Sequence, residues 1–213
     1  MLTRRDLLAG TAVGIGLLML PGFVRASFAQ TVDGVKLMVP GPLGEMSLGE
    51  ETAPVTVIEY ASMTCGHCAR FHADTYEAFK TKYVDTGQAR FILREFPLDP
   101  LAAAGFMLAR AAPGDRYFEM VSLLFETQRQ WAYTDDPVTA LLGIARQVGF
   151  TQESFEAALK NQELLDGVNW VRNRAAQEFG VDATPTFFIN GEKKSGALSM
   201  DELDAAITPL LKS

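Results

Sequence analysis

Two cysteines stand three positions apart in Thr64-Cys65-Gly66-His67-Cys68, and the 213-residue chain has no others. A disulfide across so short a loop removes little entropy from an unfolded chain, so holding a fold together is a poor use for the pair. A scaffold stapled by disulfides would scatter more cysteines along the sequence. Exchange chemistry is the better use: such a pair closes to a disulfide and reopens by trading it with other thiols, and the attacking species is a thiolate. His67, lying between the two, stabilises a thiolate on Cys65 when it is protonated or donating a hydrogen bond. Zinc would compete for the same residues, because Cys65, Cys68 and His72 form a C-x2-C-x3-H run with His67 nearby. The chain has only two histidines and two cysteines, all in this segment. No second ligand cluster completes a structural zinc site, so neither a metal nor any other cofactor is expected.

A reactive thiol has to be presented where negative charge is stabilised, and the flanking sequence provides such a place. Val55-Thr56-Val57-Ile58-Glu59-Tyr60 is β-branched and apolar on both faces, the pattern of a central buried strand, and it runs directly into the cysteines. From Cys68 onward Phe71, Thr75, Phe79 and Tyr83 recur at helical steps, predicting a helix with one apolar face that ends near Gly87. Cys65 then falls at the helix start, where unpaired N–H groups and the positive end of the helix dipole face its sulfur. Cys68, one turn further in, is covered. Cys65 is thereby expected to attack and Cys68 to resolve. His72 reads as a surface or packing histidine one turn beyond.

A second strand is expected over Ala89 to Phe96, stopped by Pro97. The stretch from Asp99 to Gly180 carries only helical signals. Asp99-Pro100 and Asp136-Pro137 each set a capping acid before a proline, Thr151 can cap a further helix, and Gly149 and Gly180 are plausible stops. Trp131, Tyr133 and Trp170 fit core stripes at helical spacing within this block. Strand character returns at Thr186-Phe187-Phe188-Ile189, turns at Asn190-Gly191 and resumes around Lys193 to Leu198. Ser199-Met200-Asp201-Glu202 then opens a last helix with a capping-box pattern. These elements imply an α/β fold with a helical block inserted between central strands. The domains are read as residues 54–98 with 181–213, a helical insertion over 99–180, and a Gly/Pro-rich lead-in over 30–53.

Residues 1–29 read as an export signal: Arg4 and Arg5 lead, an apolar run from Leu7 to Leu20 follows, and Ser27-Phe28-Ala29 offers small residues for cleavage. The 14-residue run is shorter than the roughly 20 positions that span a bilayer. Thr3-Arg4-Arg5-Asp6-Leu7-Leu8 resembles a twin-arginine signal, with an ordinary secretory signal as the alternative. Either route delivers the chain to an oxidising compartment, the periplasm. Cleavage would take the 19 basic and 26 acidic residues to 16 and 25, changing the net charge from −7 to −9. Such acidity argues against nucleic acid as a partner.

Cys65-Gly66-His67-Cys68 after a strand, a long helical insertion, and Ala183-Thr184-Pro185-Thr186-Phe187 after it resemble the bacterial DsbA-type oxidoreductases of the thioredoxin superfamily, from Val55 to the C-terminus. The resemblance implies a thioredoxin-like fold and a thiol:disulfide oxidoreductase with Cys65 and Cys68 as its redox-active disulfide. It implies a cis peptide at Pro185, lying against the cysteines, so that Pro185 and the backbone of Thr184 receive substrate peptide. It also implies that Glu59, six residues before Cys65, is the buried acid that moves protons for the buried thiol. Gly66-His67 differs from the Pro-His of well-known members and equals that of eukaryotic disulfide isomerases, and a threonine before the proline is found in isomerases and reductases too. Both redox directions therefore stay open.

Three functions follow as expectations. The first is a monomeric periplasmic oxidase that passes its disulfide to reduced or unfolded exported proteins and is reoxidised by a membrane partner of the DsbB type. The second is a reductase or isomerase of the same fold. The third, from a different class, is a binding module whose cysteines hold zinc or a permanent bridge.

Overall fold

The computed structural model describes residues 32–212. The expected export signal, residues 1–29, lies outside them. A five-stranded mixed sheet in the order β1-β3-β2-β4-β5 forms the centre. Its strands are β1 (Met46–Leu48), β2 (Val55–Ala61), β3 (Ala89–Glu95), β4 (Thr186–Ile189) and β5 (Glu192–Ser195). The helices are α1 (Gly34–Leu37), α2 (Gly66–Phe71), α3 (Glu77–Phe79), α4 (Pro100–Arg110), α5 (Tyr117–Glu126), α6 (Gln128–Trp131), α7 (Pro137–Ala145), α8 (Gln152–Leu159), α9 (Gln162–Glu178) and α10 (Met200–Ile207). None of the described helices is long and apolar enough to cross a membrane.

β2 and β3 pair in parallel, Val55 opposite Ala89 through Ala61 opposite Glu95, and every other pairing is antiparallel. As the sequence pattern implies, β2 and β3 are buried on both faces. Val57, Phe91 and Phe187 pack toward Phe71, Phe79, Phe106 and Trp131 on one side. Ile58, Tyr60, Ile92 and Phe188 pack toward Val171, Ala175 and Phe179 of the α9 region on the other. The alternation follows from the two-residue period of a strand and fixes which side chains of β2 look toward α2. β5 is an edge strand whose Lys193 and Lys194 discourage pairing with a further strand.

Asp99, Asp136, Thr151 and Ser199 each accept a backbone N–H at the start of α4, α7, α8 and α10, the last two as capping boxes. Asn190 (φ 45°) and Gly191 (φ 87°) make the tight turn of the β4–β5 hairpin. Asn190 also accepts from the Thr56 N–H at 2.7 Å, so the turn is tied to the start of β2.

Several expectations are corrected. The helix after Cys68 is not uniform: π-type turns at His72–Tyr76 and Lys80–Val84 flank α3, so the helix from Gly66 to Val84 is partly wider than an ideal α-helix. The lead-in contains β1, a three-residue edge strand. Gly49 at its end has φ 88°, and a Cβ there would lie 2.6 Å from the Ala89 carbonyl oxygen, so only glycine lets β1 approach β3. Tyr133 and Trp170 are not core residues; they are 66% and 43% exposed, while Trp131 is fully buried. His72, read as a surface or packing histidine, takes the packing place and is buried.

Candidate active site

β2 carries the chain out of the middle of the sheet, and Ser62 to Thr64 turn it into α2. Cys65 is the N-cap residue, with extended backbone (φ −79°, ψ 117°), and its carbonyl accepts from the Ala69 N–H at 3.1 Å. No side chain caps this end. The N–H groups of the first turn are therefore free for the Cys65 sulfur. Both cysteines are reduced; Cys65 is partly exposed and Cys68 fully buried. The Thr184-Pro185 bond is cis, and the Cys65 thiol donates to the Thr184 carbonyl at 3.2 Å, across 119 residues of sequence.

The two sulfurs are driven apart in acidity. A hydrogen bond from the Cys68 thiol is the main influence on Cys65, opposed by partial burial and reinforced by the Thr184 hydroxyl and the backbone N–H groups of Cys68 and His67; together they bring Cys65 down to about 5. The Thr184 hydroxyl is buried and otherwise unpartnered, which leaves it available to a thiolate. Burial pushes Cys68 well above the usual thiol range, helped by its hydrogen bond to Cys65 and the nearby Glu59 carboxyl. At neutral pH the pair is one thiolate and one thiol.

His67 is exposed, and what it offers Cys65 is its backbone N–H. Gly66 is exposed, and a Cβ there would meet open space, so the fold makes no steric demand for glycine. Glu59 is completely buried on the α2 side of the sheet, with Oε2 3.1 Å from His72 Nε2. Among the described residues no group of three or more His, Cys, Asp or Glu side chains is arranged to hold a metal ion.

Three residues that the sequence did not mark as part of the site hold the loop. Gln128 of α6 is buried and donates to the carbonyls of Met63 (2.9 Å) and Cys65 (3.0 Å). Tyr133 donates to the Thr64 carbonyl at 3.2 Å, which explains why it stands out of the core. Asp99, besides capping α4, accepts from the Thr64 hydroxyl at 2.5 Å. The helices between β3 and β4 thus grip the loop that presents Cys65. Beside it lies an open groove of about 730 Å³ walled by Gly66, His67, Arg70, Phe125, Arg129 and Tyr133. Gln128→Leu would remove the amide donor of the Met63 carbonyl and leave the Cys65 carbonyl with the Ala69 N–H alone. Its unfolding free energy should drop by about 2–3 kcal/mol in chemical denaturation, and an unchanged midpoint would show that water replaces the amide at no cost.

Comparison with known proteins agrees with this geometry. Residues 43–208 match the thioredoxin family. A Rickettsia conorii protein named provisionally as a protein-disulfide oxidoreductase is 30% identical over 186 residues, covering 85% of this chain and 65% of the relative, so the chain spans just under two thirds of that relative's length. The crystal structure of alpha-DsbA1 from Wolbachia pipientis has 30% identity and a TM-score of 0.78, covering 84% of this chain and 96% of that one. Oxidised BdbD from Bacillus subtilis shares the fold at 21% identity, with a TM-score of 0.70 over 86% of this chain and 99% of that one. With a strand-to-helix cysteine pair facing a cis-proline, the match over residues 43–208 and the likeness to alpha-DsbA1 show that the chain belongs to the thioredoxin superfamily, as a member of its DsbA type.

Proposed function

We propose that the chain is a thiol:disulfide oxidoreductase working as an oxidase of exported proteins in the periplasm. The oxidised Cys65–Cys68 pair accepts attack by a substrate thiolate on Cys65, Cys68 departs, and a second substrate thiol releases the product by attacking the mixed disulfide. Thr184 and Pro185 would hold the substrate backbone against Cys65, and His67 and Gly66 would face it from the helix start. Reduced or unfolded exported proteins are the substrates in this reading. A membrane partner of the DsbB type restores the disulfide, and the chain acts as a monomer with residues 99–180 as a lobe beside the thioredoxin-like part.

The observation that carries the direction is the contrast between the sulfurs, Cys65 held down to about 5 and Cys68 held up. A stabilised thiolate favours the reduced form, and a protein more stable when reduced gives its disulfide away. Thiol pKa values of about 7 and about 3.5 accompany potentials near −270 mV in thioredoxin and near −120 mV in DsbA, and one pKa unit corresponds to about 30 mV for two electrons. With Cys65 between those two thiols, the pair should equilibrate with glutathione at a potential above that of thioredoxin. A potential near that of thioredoxin would reverse the direction and leave a reductase. Because Cys65 lies between those two reference thiols, isomerisation is the second reading, and refolding of scrambled ribonuclease by the purified chain separates it from oxidation.

A further inference from the structure

Beneath the cysteines lies a buried pair of titratable groups that the exchange reaction leaves without a complete task. Glu59 is fully buried on β2, and His72 is buried one turn beyond Cys68, its Nε2 3.1 Å from Glu59 Oε2. The second oxygen of Glu59 and the second nitrogen of His72, Oε1 and Nδ1, are both buried and have no hydrogen-bond partner. With no protein group to satisfy them, these two atoms are open to a proton or a water in a way that a pair serving only to pack does not need. The imidazole is held in plane between Tyr76 (4.7 Å, 29°) and Phe125 (4.3 Å, 27°). It also forms part of the wall of a cavity of about 40 Å³, shared with Ser122 and with the exposed acids Glu77 and Glu126. That volume is enough for a water molecule.

We propose that His72 extends the proton path that the resemblance assigns to Glu59, as an outer member joining that carboxyl, and through it the buried Cys68 sulfur, to the small cavity. The inference rests on the exchange chemistry proposed above and assigns a new role to His72, which does not touch the reacting sulfurs. When a substrate thiolate bonds to Cys65, the Cys65–Cys68 bond breaks and Cys68 leaves with the electron pair. Glu59 gives that thiolate its proton, His72 returns one to Glu59 through Nε2, and water in the cavity replaces it at Nδ1. The enzyme disulfide gains two electrons, the two substrate thiols lose them, and the steps run backward on reoxidation. The groups facing His72 are Glu59 from β2, Tyr76 from its own helix, and Ser122 and Phe125 from α5, with Glu77 and Glu126 at the cavity. Burial pushes Tyr76 upward, so its hydroxyl stays neutral over the working range.

The test follows reduction of the oxidised full chain by dithiothreitol across pH, with acid quenching and counting of free thiols. His72→Gln retains an N–H for Glu59 but carries no proton through. It should slow reduction about tenfold or more, flatten the pH profile and introduce a solvent isotope effect. His72→Ala should be slowed similarly and recover with added imidazole, which a purely structural role does not predict. His72→Phe keeps the ring stack and should remain slow, so the question survives if the alanine variant folds poorly. Alkylation of Cys65 at mildly acidic pH is the control. Rapid alkylation with wild-type rates and pH profiles in the Gln and Phe variants would overturn the relay alone. A Cys65 no more reactive than a free thiol would overturn the exchange reading beneath it.

Discussion

Replacing Cys65 with serine is expected to lower disulfide transfer by about a thousandfold or more, because a hydroxyl remains protonated where a thiolate is required. The informative comparison is with Cys68. Cys68→Ala keeps the attacking sulfur but removes the hydrogen bond that contributes most to holding Cys65 down to about 5, so its alkylation midpoint should move up toward the ordinary thiol range. In the wild type, alkylation should be half-maximal near pH 5 and level well before neutrality. Stability carries the same signature. A thiol at about 5 in the fold and 9 when unfolded stabilises the reduced protein fully above pH 9, less at each lower pH, and not at all below about 5. At pH 7 the two-unit lever, discounted for the partial exposure of Cys65, is on the order of 1–2 kcal/mol. Cys68 begins to subtract only above pH 9, where the unfolded chain would ionise it. The oxidised protein lacks the Cys65 contribution, so the difference between reduced and oxidised melting temperatures should shift in favour of the reduced form as pH rises from 5. A constant gap would refute the assignment of thiolate stabilisation to Cys65.

The parts of this site written in local sequence were legible, and the parts assembled across the chain were not. The run Val55 to Tyr60 is apolar on both faces because β2 is buried on both faces, and its junction with Cys65 follows from chain continuity. The caps at Asp99, Asp136, Thr151 and Ser199 are equally local, since a capping side chain reaches only the next few N–H groups. By contrast β1 has three residues and no period to read, and it exists because β3 offers it an edge. Gln128 lies 63 residues from Cys65, and nothing around it in sequence marks a side chain that will meet two distant carbonyls. Tyr133 and Trp170 show a related limit: helical spacing says that a residue lies on a stripe, not whether anything covers it. Tyr133 stays exposed because its hydroxyl serves Thr64, and Trp170 stays half-exposed beneath the Arg174 guanidinium, 5.2 Å from its ring. For His72 the sequence left surface and packing both open, and the fold takes the second. Histidine is often exposed, but β2 directs Glu59 to the side where α2 lies, and that contact draws the imidazole inward.

The largest loss of stability is expected from Arg110→Ala, in a second buried network away from the sulfurs. Glu95, at the end of β3, is fully buried and accepts from Arg110 Nε at 2.6 Å and from the Tyr117 hydroxyl at 3.2 Å. The same guanidinium donates to the Leu43 and Gly44 carbonyls at 3.0 and 3.2 Å and lies 5.4 Å from the centre of the Tyr117 ring. Truncating it strands a carboxylate whose Oε2 already has no partner and releases the segment leading into β1. Breaking one side of a buried ion pair costs about 3–5 kcal/mol, which for a chain of this size lowers the melting temperature by roughly 6–20 °C. An exposed pair such as Lys160–Glu156 would cost far less by the same substitution, because water screens it. Arg110→Leu combined with Glu95→Leu should recover much of the loss, because no charge is then left buried. Well below its melting temperature the Arg110→Ala protein should keep the wild-type alkylation midpoint of Cys65, since the loop before α2 is held by Gln128, Tyr133 and Asp99 rather than by Arg110. A destabilisation below about 1 kcal/mol would mean that water reaches Glu95 and that the burial seen at the end of β3 is not maintained in solution.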